Sequence, residues 1–182
     1  MFVVTRFSRK SSQFLGVQGV ALVKQSPHRE KPLAEPNSID GDRSGSLIRV
    51  LVVEDNEPFR RFVRASLSTR PELLVISEVS DGLEAVQKAL ELQPALIVLD
   101  IGLPSLNGIE AARRIRKLSP KSKILFLSQE SSADVVQEAL CLGALGFVIK
   151  ARAARDLLAA VEAVLRDTQF VSSTLKPVDG QR

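Results

Sequence analysis

From Leu47 to Arg166 the chain alternates between short apolar runs and longer amphipathic stretches. Leu47–Val53, Leu73–Val79, Ala95–Leu99, Lys123–Leu127 and Leu145–Ile149 are rich in β-branched and large aliphatic residues. Runs of that length suit strands buried on both faces of a parallel sheet. Between them the apolar period lengthens to that of a helix. Phe59, Phe62, Val63 and Leu67 form a first stripe, with Arg60, Arg61 and Arg64 expected on the solvent side. Ala85, Val86, Ala89 and Leu90 give a second helix over Gly82–Leu92, stopped by Pro94. A third runs from about Asn107 to Leu118, a fourth over Ser131–Leu142 and a fifth over Ala153–Arg166. Pro58 is expected at the first position of its helix, and Gly143 as the left-handed residue ending the fourth. Five strands alternating with five helices predict an α/β domain whose parallel sheet is covered on both faces.

Residues 1–47 break this pattern. Ser26–Ser46 carries Pro27, Pro32, Pro36, Gly41 and Gly45 among charged and small polar residues, which is linker composition. The first 29 residues hold five Lys/Arg and no acid around the apolar patch Phe14–Val23, a weak likeness to a targeting peptide. No small-residue cleavage signal follows it, so a flexible, disordered extension is the expectation. The expected division is residues 1–47 as this extension, 48–167 as the folded domain and 168–182 as a short tail.

Charge and cysteine content narrow the function. Residues 1–47 carry seven Lys/Arg against four acids, leaving 18 against 17 for the remainder. The folded part is close to neutral, so the basic overall balance does not argue for nucleic-acid binding. A single cysteine, Cys141, excludes an internal disulfide and fits a reducing compartment; it is expected to be a small core side chain. The single histidine, His28, lies in the extension, which excludes histidine dyads from the folded part. No apolar run reaches the length of a membrane span.

The polar residues at the strand ends carry the chemistry. The first strand ends in Glu54-Asp55, the third in Asp100, the fourth in Ser128 and the fifth in Lys150. In a parallel sheet all carboxyl ends share one edge, where ligands bind. Each residue alone reads as a loop residue or cap; together they place three carboxylates, a hydroxyl and an ammonium on one rim. Crowded carboxylates call for a cation. A hard divalent ion such as Mg²⁺ takes oxygen ligands from one or two carboxylates plus a phosphate. Asp100 is the most central carboxylate and can form an acyl phosphate. Lys150 and the ion would then neutralise charge on the transferring group.

These residues resemble a known family. Val-Val-Glu54-Asp55, Leu-Ile-Val-Leu-Asp100-Ile-Gly-Leu-Pro104 with Asn107-Gly108, Leu-Ser128, and Gly-Phe147-Val-Ile-Lys150 look like a response-regulator receiver domain of the CheY-like superfamily. The wording is most like the receivers of NarL/FixJ-type two-component regulators. The resemblance implies a flavodoxin-like doubly wound (βα)5 fold with a five-stranded parallel sheet in the order 2-1-3-4-5. It implies that Asp100 accepts phosphate from a sensor histidine kinase or phosphotransfer protein. Asp55, Asp100 and the Gly102 backbone carbonyl would ligate Mg²⁺, with Glu54 acting through water. Ser128 would bond the phosphoryl oxygen, Lys150 would pair with it, and Phe147 would turn inward as Ser128 moves. The switched surface would be that of the fourth helix, fifth strand and fifth helix, for a downstream protein partner or a homodimer.

Departures from the family pattern qualify this. Ala151 replaces the usual proline after the lysine, predicting a trans bond because a cis one would cost about 2.5–4 kcal/mol. Gln129 is bulkier than the usual residue beside the switch hydroxyl. Gly102 offers no side chain to guide a hydrolytic water, whereas Glu130 does. Too few residues follow the fifth helix for a helix-turn-helix. The expectation is therefore a cytoplasmic, stand-alone receiver, without separate substrate turnover, direct DNA binding or membrane contact. A truncated DNA-binding transcription regulator is the alternative. A haloacid-dehalogenase-like phosphatase would need a second Asp where Gly102 stands, and a degenerate docking module would not keep the full acidic pocket.

Overall fold

The computed structural model describes residues 46–130 and 132–172. The expected extension (residues 1–45), His28, Ser131 at the proposed start of the fourth helix, and residues 173–182 lie outside the described residues. The elements run β1 (Ile48–Val53), α1 (Glu57–Leu67), β2 (Leu73–Val79), α2 (Gly82–Leu92), β3 (Leu96–Asp100), α3 (Gly108–Leu118), β4 (Lys123–Ser128), α4 (Ala133–Cys141), β5 (Gly146–Ile149), α5 (Ala153–Leu165) and β6 (Phe170–Val171). A short 3₁₀ turn, Lys150–Arg152, joins β5 to α5. All strand pairs are parallel, in the order β2-β1-β3-β4-β5-β6. This is the flavodoxin-like α/β fold with the expected 2-1-3-4-5 order.

The alternation of side chains along each strand splits the core into two layers. Leu51, Val53, Ile97, Leu99, Phe126 and Phe147 face α2, α3 and α4 through Ala85, Ala89, Ala112, Ile115 and Ala139. Val50, Val52, Leu96, Val98, Leu125, Leu127 and Val148 face α1 and α5 through Val63, Leu67, Leu157, Ala160 and Val161. Every residue of β3 is buried, and each large aliphatic among them contributes about 1.5–3 kcal/mol of transfer free energy. That burial fixes the central strand and with it Asp100.

Side-chain caps set where the helices begin. Asn56 Oδ1 accepts the Phe59 N–H at 3.0 Å, Asp81 Oδ1 the Leu83 N–H at 2.7 Å, and Asn107 Oδ1 the Glu110 N–H at 2.9 Å. α1 starts at Glu57, so Pro58 occupies its second position rather than the expected first. Gly143 has φ +78°, as expected for the residue that ends α4.

Two further features depart from the sequence reading. Part of the expected tail forms β6, whose Phe170 and Val171 pair with Gly146 and Phe147. It is held by the Ser172 hydroxyl, which donates to the buried Asp156 carboxylate at 2.8 Å. Cys141 is exposed rather than a core residue. α4 buries only Ala139 fully, so the last turn of this helix turns Cys141 away from the sheet.

Candidate functional site

The carboxyl ends of β1, β3, β4 and β5 open on one polar cleft of ≈ 390 Å³. Asp55, Asn56, Asp100, Ile101, Gly102, Ser128, Gln129, Glu130 and Lys150 line it. Glu54 follows the last paired residue of β1 and is fully buried, while the next residue, Asp55, is exposed. Asp100 is the last residue of β3, and Lys150 opens the turn after β5. Although 96 and 50 residues from its partners in sequence, Lys150 Nζ donates to Glu54 Oε1 and to Asp100 Oδ2, each at 2.8 Å. No cis peptide bond occurs among the described residues, so the Lys150–Ala151 bond is trans, as expected.

The loop after β3 holds the other Asp100 oxygen, since the Gly102 N–H donates to Asp100 Oδ1 at 3.1 Å. The backbone of Gly108 crosses this loop so closely that an added Cβ would lie 2.0 Å from the Asp100 carbonyl oxygen. Ser128 Oγ accepts the Glu130 N–H at 3.0 Å. Its own O–H therefore remains a donor for a ligand in the cleft.

Charge makes the site receptive to a cation. Burial pushes the Glu54 carboxyl above its ordinary value, with the Asp100 charge adding to this and Lys150 opposing it. Burial pulls the Lys150 ammonium down, but its bonds to Asp100 and Glu54 outweigh this and raise it overall. One ammonium faces three carboxylates. A ligand oxygen from each of Glu54, Asp55 and Asp100 lies within 4.8 Å of the others. Glu54 Oε2 is buried without a hydrogen-bond partner, a vacant acceptor beside the cluster. Oxygens on opposite sides of Mg²⁺ are roughly 4 Å apart, so three carboxylate oxygens within 4.8 Å of one another fit this ion.

The sequence-predicted residues Glu54, Asp55, Asp100, Gly102, Ser128 and Lys150 are thus brought to one place. Phe147 is not among the cleft-lining residues: it is fully buried on β5, in the layer shared with Phe126. Two residues near the site were missed as contributors. Phe59 has its ring centroid 5.1 Å from Lys150 Nζ. Arg60, read as a solvent-side residue, instead donates from Nη1 to the Glu54 carbonyl at 2.7 Å. The helical stripe could flag Phe59 as inward-facing; nothing local marks Arg60.

Comparison with known proteins agrees with the geometry. Residues 50–162 match the family model described as response regulator receiver domain. The protein-glutamate methylesterase/protein-glutamine glutaminase of Thermotoga maritima is 43% identical over 105 residues, 57% of this chain and 30% of that protein. The nitrate/nitrite response regulator protein NarL of Escherichia coli K12 is 31% identical over 129 residues, covering 71% of this chain and 60% of NarL. The chain thus spans less than two thirds of each of these relatives. Among solved structures, a LuxR-family two-component response regulator from Aurantimonas superposes with a TM-score of 0.65 at 31% identity, covering 69% of this chain and 89% of that one. The receiver domain of the NarL regulator from Mycobacterium tuberculosis gives 0.62 at 28% identity, covering 66% and 97%. Phosphorylation and Mg²⁺ binding are typical of this family. With its fold in agreement and more than half its length matched, the chain belongs to the response regulator receiver domain family.

Proposed function

We propose that this chain is the phosphoacceptor of a two-component phosphorelay, with Asp100 taking a phosphoryl group from a phosphohistidine of a sensor histidine kinase or phosphotransfer protein. The observation that carries this reading is the Lys150 ammonium bridging Asp100 and Glu54 beside Asp55 and Ser128. A carboxylate oxygen of Asp100 forms the new O–P bond as the donor's P–N bond breaks, and the freed imidazole takes a proton from solvent. Lys150 and the Gly102 N–H hold the carboxylate in place for attack. Lys150 then pairs with the phosphoryl oxygens, and the free O–H of Ser128 donates to one of them. Asp55, Asp100 and the Gly102 carbonyl would ligate Mg²⁺, with Glu54 reaching it through water. When bound, the ion neutralises charge on the transferring group.

The output in this reading is a change at the surface of α4, β5 and α5. Phosphorylation adds charge and strong acceptors that draw Ser128 toward the site, and the buried Phe147 on the adjoining strand responds to that shift. β6 forms the edge of the sheet next to β5, so the surface offered to a protein partner, or to a second copy, includes Val171. We take residues 48–167 together with β6 as the receiver unit, 1–47 as an extension and the residues after β6 as a tail, in a cytoplasmic protein without its own substrate turnover. Among the described residues, no helix is long and apolar enough to cross a membrane.

Incubation with Mg²⁺ and a small phosphodonor such as acetyl phosphate tests the acceptor role. Wild type is expected to gain the mass of one phosphoryl group and Asp100→Asn none. An Asp100→Asn protein that is still modified to the same extent sinks the reading. A second reading, a truncated DNA-binding transcription regulator whose helix-turn-helix output domain is missing or separately encoded, is favoured by the likeness to the transcriptional regulatory protein LiaR of Bacillus subtilis, 35% identical over 117 residues. A separately encoded helix-turn-helix protein whose DNA binding changes when this chain is phosphorylated would support it over signalling through other protein contacts.

A further inference from the structure

We propose that Arg60 is a positioning residue that fixes the Glu54–Asp55 acidic pair for a divalent cation; the inference rests on the receiver reading and deepens it. Glu54 and Asp55 stand beyond the last paired residue of β1. Glu54 is wholly buried and Asp55 lines the exposed cleft, yet a carboxylate oxygen of each lies within 4.8 Å of the other. The orientation of the peptide plane between them therefore decides whether both carboxylates can reach one point. Arg60 Nη1 donates to the Glu54 carbonyl at 2.7 Å and is 3.4 Å from the Asp55 carbonyl. The Glu54 contact holds that plane from a residue anchored in α1.

Two further observations separate this role from that of a surface charge. Arg60 forms no ion pair with the carboxylates of Glu54 or Asp55; its acidic partner among the described residues is Glu78 on β2, at 3.9 Å. At that distance a partly exposed pair contributes little, so the carbonyl bond is the stronger contact. Because the guanidinium holds main-chain oxygens, it supports the acids without using their negative charge. The first turn of α1 adds to the same support: the Asn56 N–H donates to Glu54 Oε1 at 3.2 Å while Asn56 Oδ1 caps the helix. The backing of the acidic pocket is thus built into the start of α1, with Asn56 two residues and Arg60 six residues from Glu54.

The test compares wild type, Arg60→Gln and Arg60→Lys as full chains. Circular dichroism first confirms that each is folded, and calorimetric Mg²⁺ titration then gives affinity. Losing a group that orients metal ligands costs roughly tenfold or more in affinity, so Arg60→Gln is expected to bind Mg²⁺ about tenfold more weakly. Arg60→Lys, which can still donate to one carbonyl, is expected to recover part of that loss. Hydrogen exchange at the Asp55 and Asn56 amides, measured without Mg²⁺, is expected to rise in Arg60→Gln while β3 exchange stays unchanged. Unchanged or tighter Mg²⁺ binding in a folded Arg60→Gln overturns the inference, since a bystander cation would only repel the ion. Absence of Mg²⁺ binding by wild type would instead bring down the receiver reading on which it rests.

Discussion

Replacing Lys150 by Met tests the energetic centre of the site. Met keeps an unbranched apolar stem over Phe59 but removes the ammonium shared by Glu54 and Asp100. Taking one partner from a buried ion pair costs about 3–5 kcal/mol. Asp100 borders the open cleft and is the less costly of the two; Glu54, with no exposure, carries most of the penalty. Glu54 can limit the loss by taking up a proton. From an ordinary value of 4.5, that uptake costs about 1.4 kcal/mol per pH unit. The ceiling on the Glu54 share is then about 4 kcal/mol at about pH 7.5 and about 1.4 kcal/mol at about pH 5.5. Lys150→Met is therefore expected to lose about 3 kcal/mol at the higher pH and about 1 kcal/mol at the lower. The sign follows from proton counting. A carboxyl raised above its unfolded value holds a proton in the native state that the unfolded state has released. Stability then falls as pH rises through the window above 4.5. The chain has no Trp or Tyr, so urea unfolding is best followed by far-ultraviolet circular dichroism without Mg²⁺. A loss below about 1 kcal/mol at the higher pH, or one equal at both, would refute the view that Lys150 compensates a buried Glu54.

Two other perturbations probe how the site and its flank are held. In Gly108→Ala the new Cβ would meet the Asp100 carbonyl oxygen at 2.0 Å and Ile101 Cα at 2.8 Å; thermal or urea unfolding should show a loss of about 2–3 kcal/mol, with reduced phosphate uptake as the Asp100 loop is displaced. At α5, burial pushes the Asp156 carboxyl up, but Arg155, the Ser172 hydroxyl and Arg152 outweigh it and hold it below its ordinary value of 3.8. Its stabilising contribution is present above that value and is lost as pH falls through the lower folded one. Asp156→Asn should cost about 1 kcal/mol at neutral pH, discounted for the exposed Arg155. Acid unfolding curves should show that gap closing at low pH and increased exchange at the Ser172 amide.

Much of the site was legible because a parallel sheet turns sequence into geometry. Once the apolar runs are read as strands, their carboxyl ends share an edge, and Glu54, Asp55, Asp100, Ser128 and Lys150 fall there together. Their chemistry needs no knowledge of side-chain packing. Arg60 shows the limit. Helical periodicity separates an inward from an outward face, but a long arginine at the border can fold back to a backbone oxygen, and no period encodes that. Cys141 failed for a related reason: an apolar neighbourhood in sequence does not say how much of a short helix meets the sheet.

The chain's own order of apolar and polar residues determined the alternating strands and helices, the two-sided burial of the sheet and the identity of the strand-end groups. These depend on local periodicity and on what water excludes, which neighbouring residues largely settle. The tertiary structure decided what depends on distance: that one ammonium spans Glu54 and Asp100, that Arg60 grips the backbone behind the acids, and that Phe170 and Val171 extend the sheet as β6. Such contacts join residues far apart in sequence or at the edge of an element. Their formation depends on ångström-level placement set by the packed core, where a shift of one side chain makes or loses a hydrogen bond.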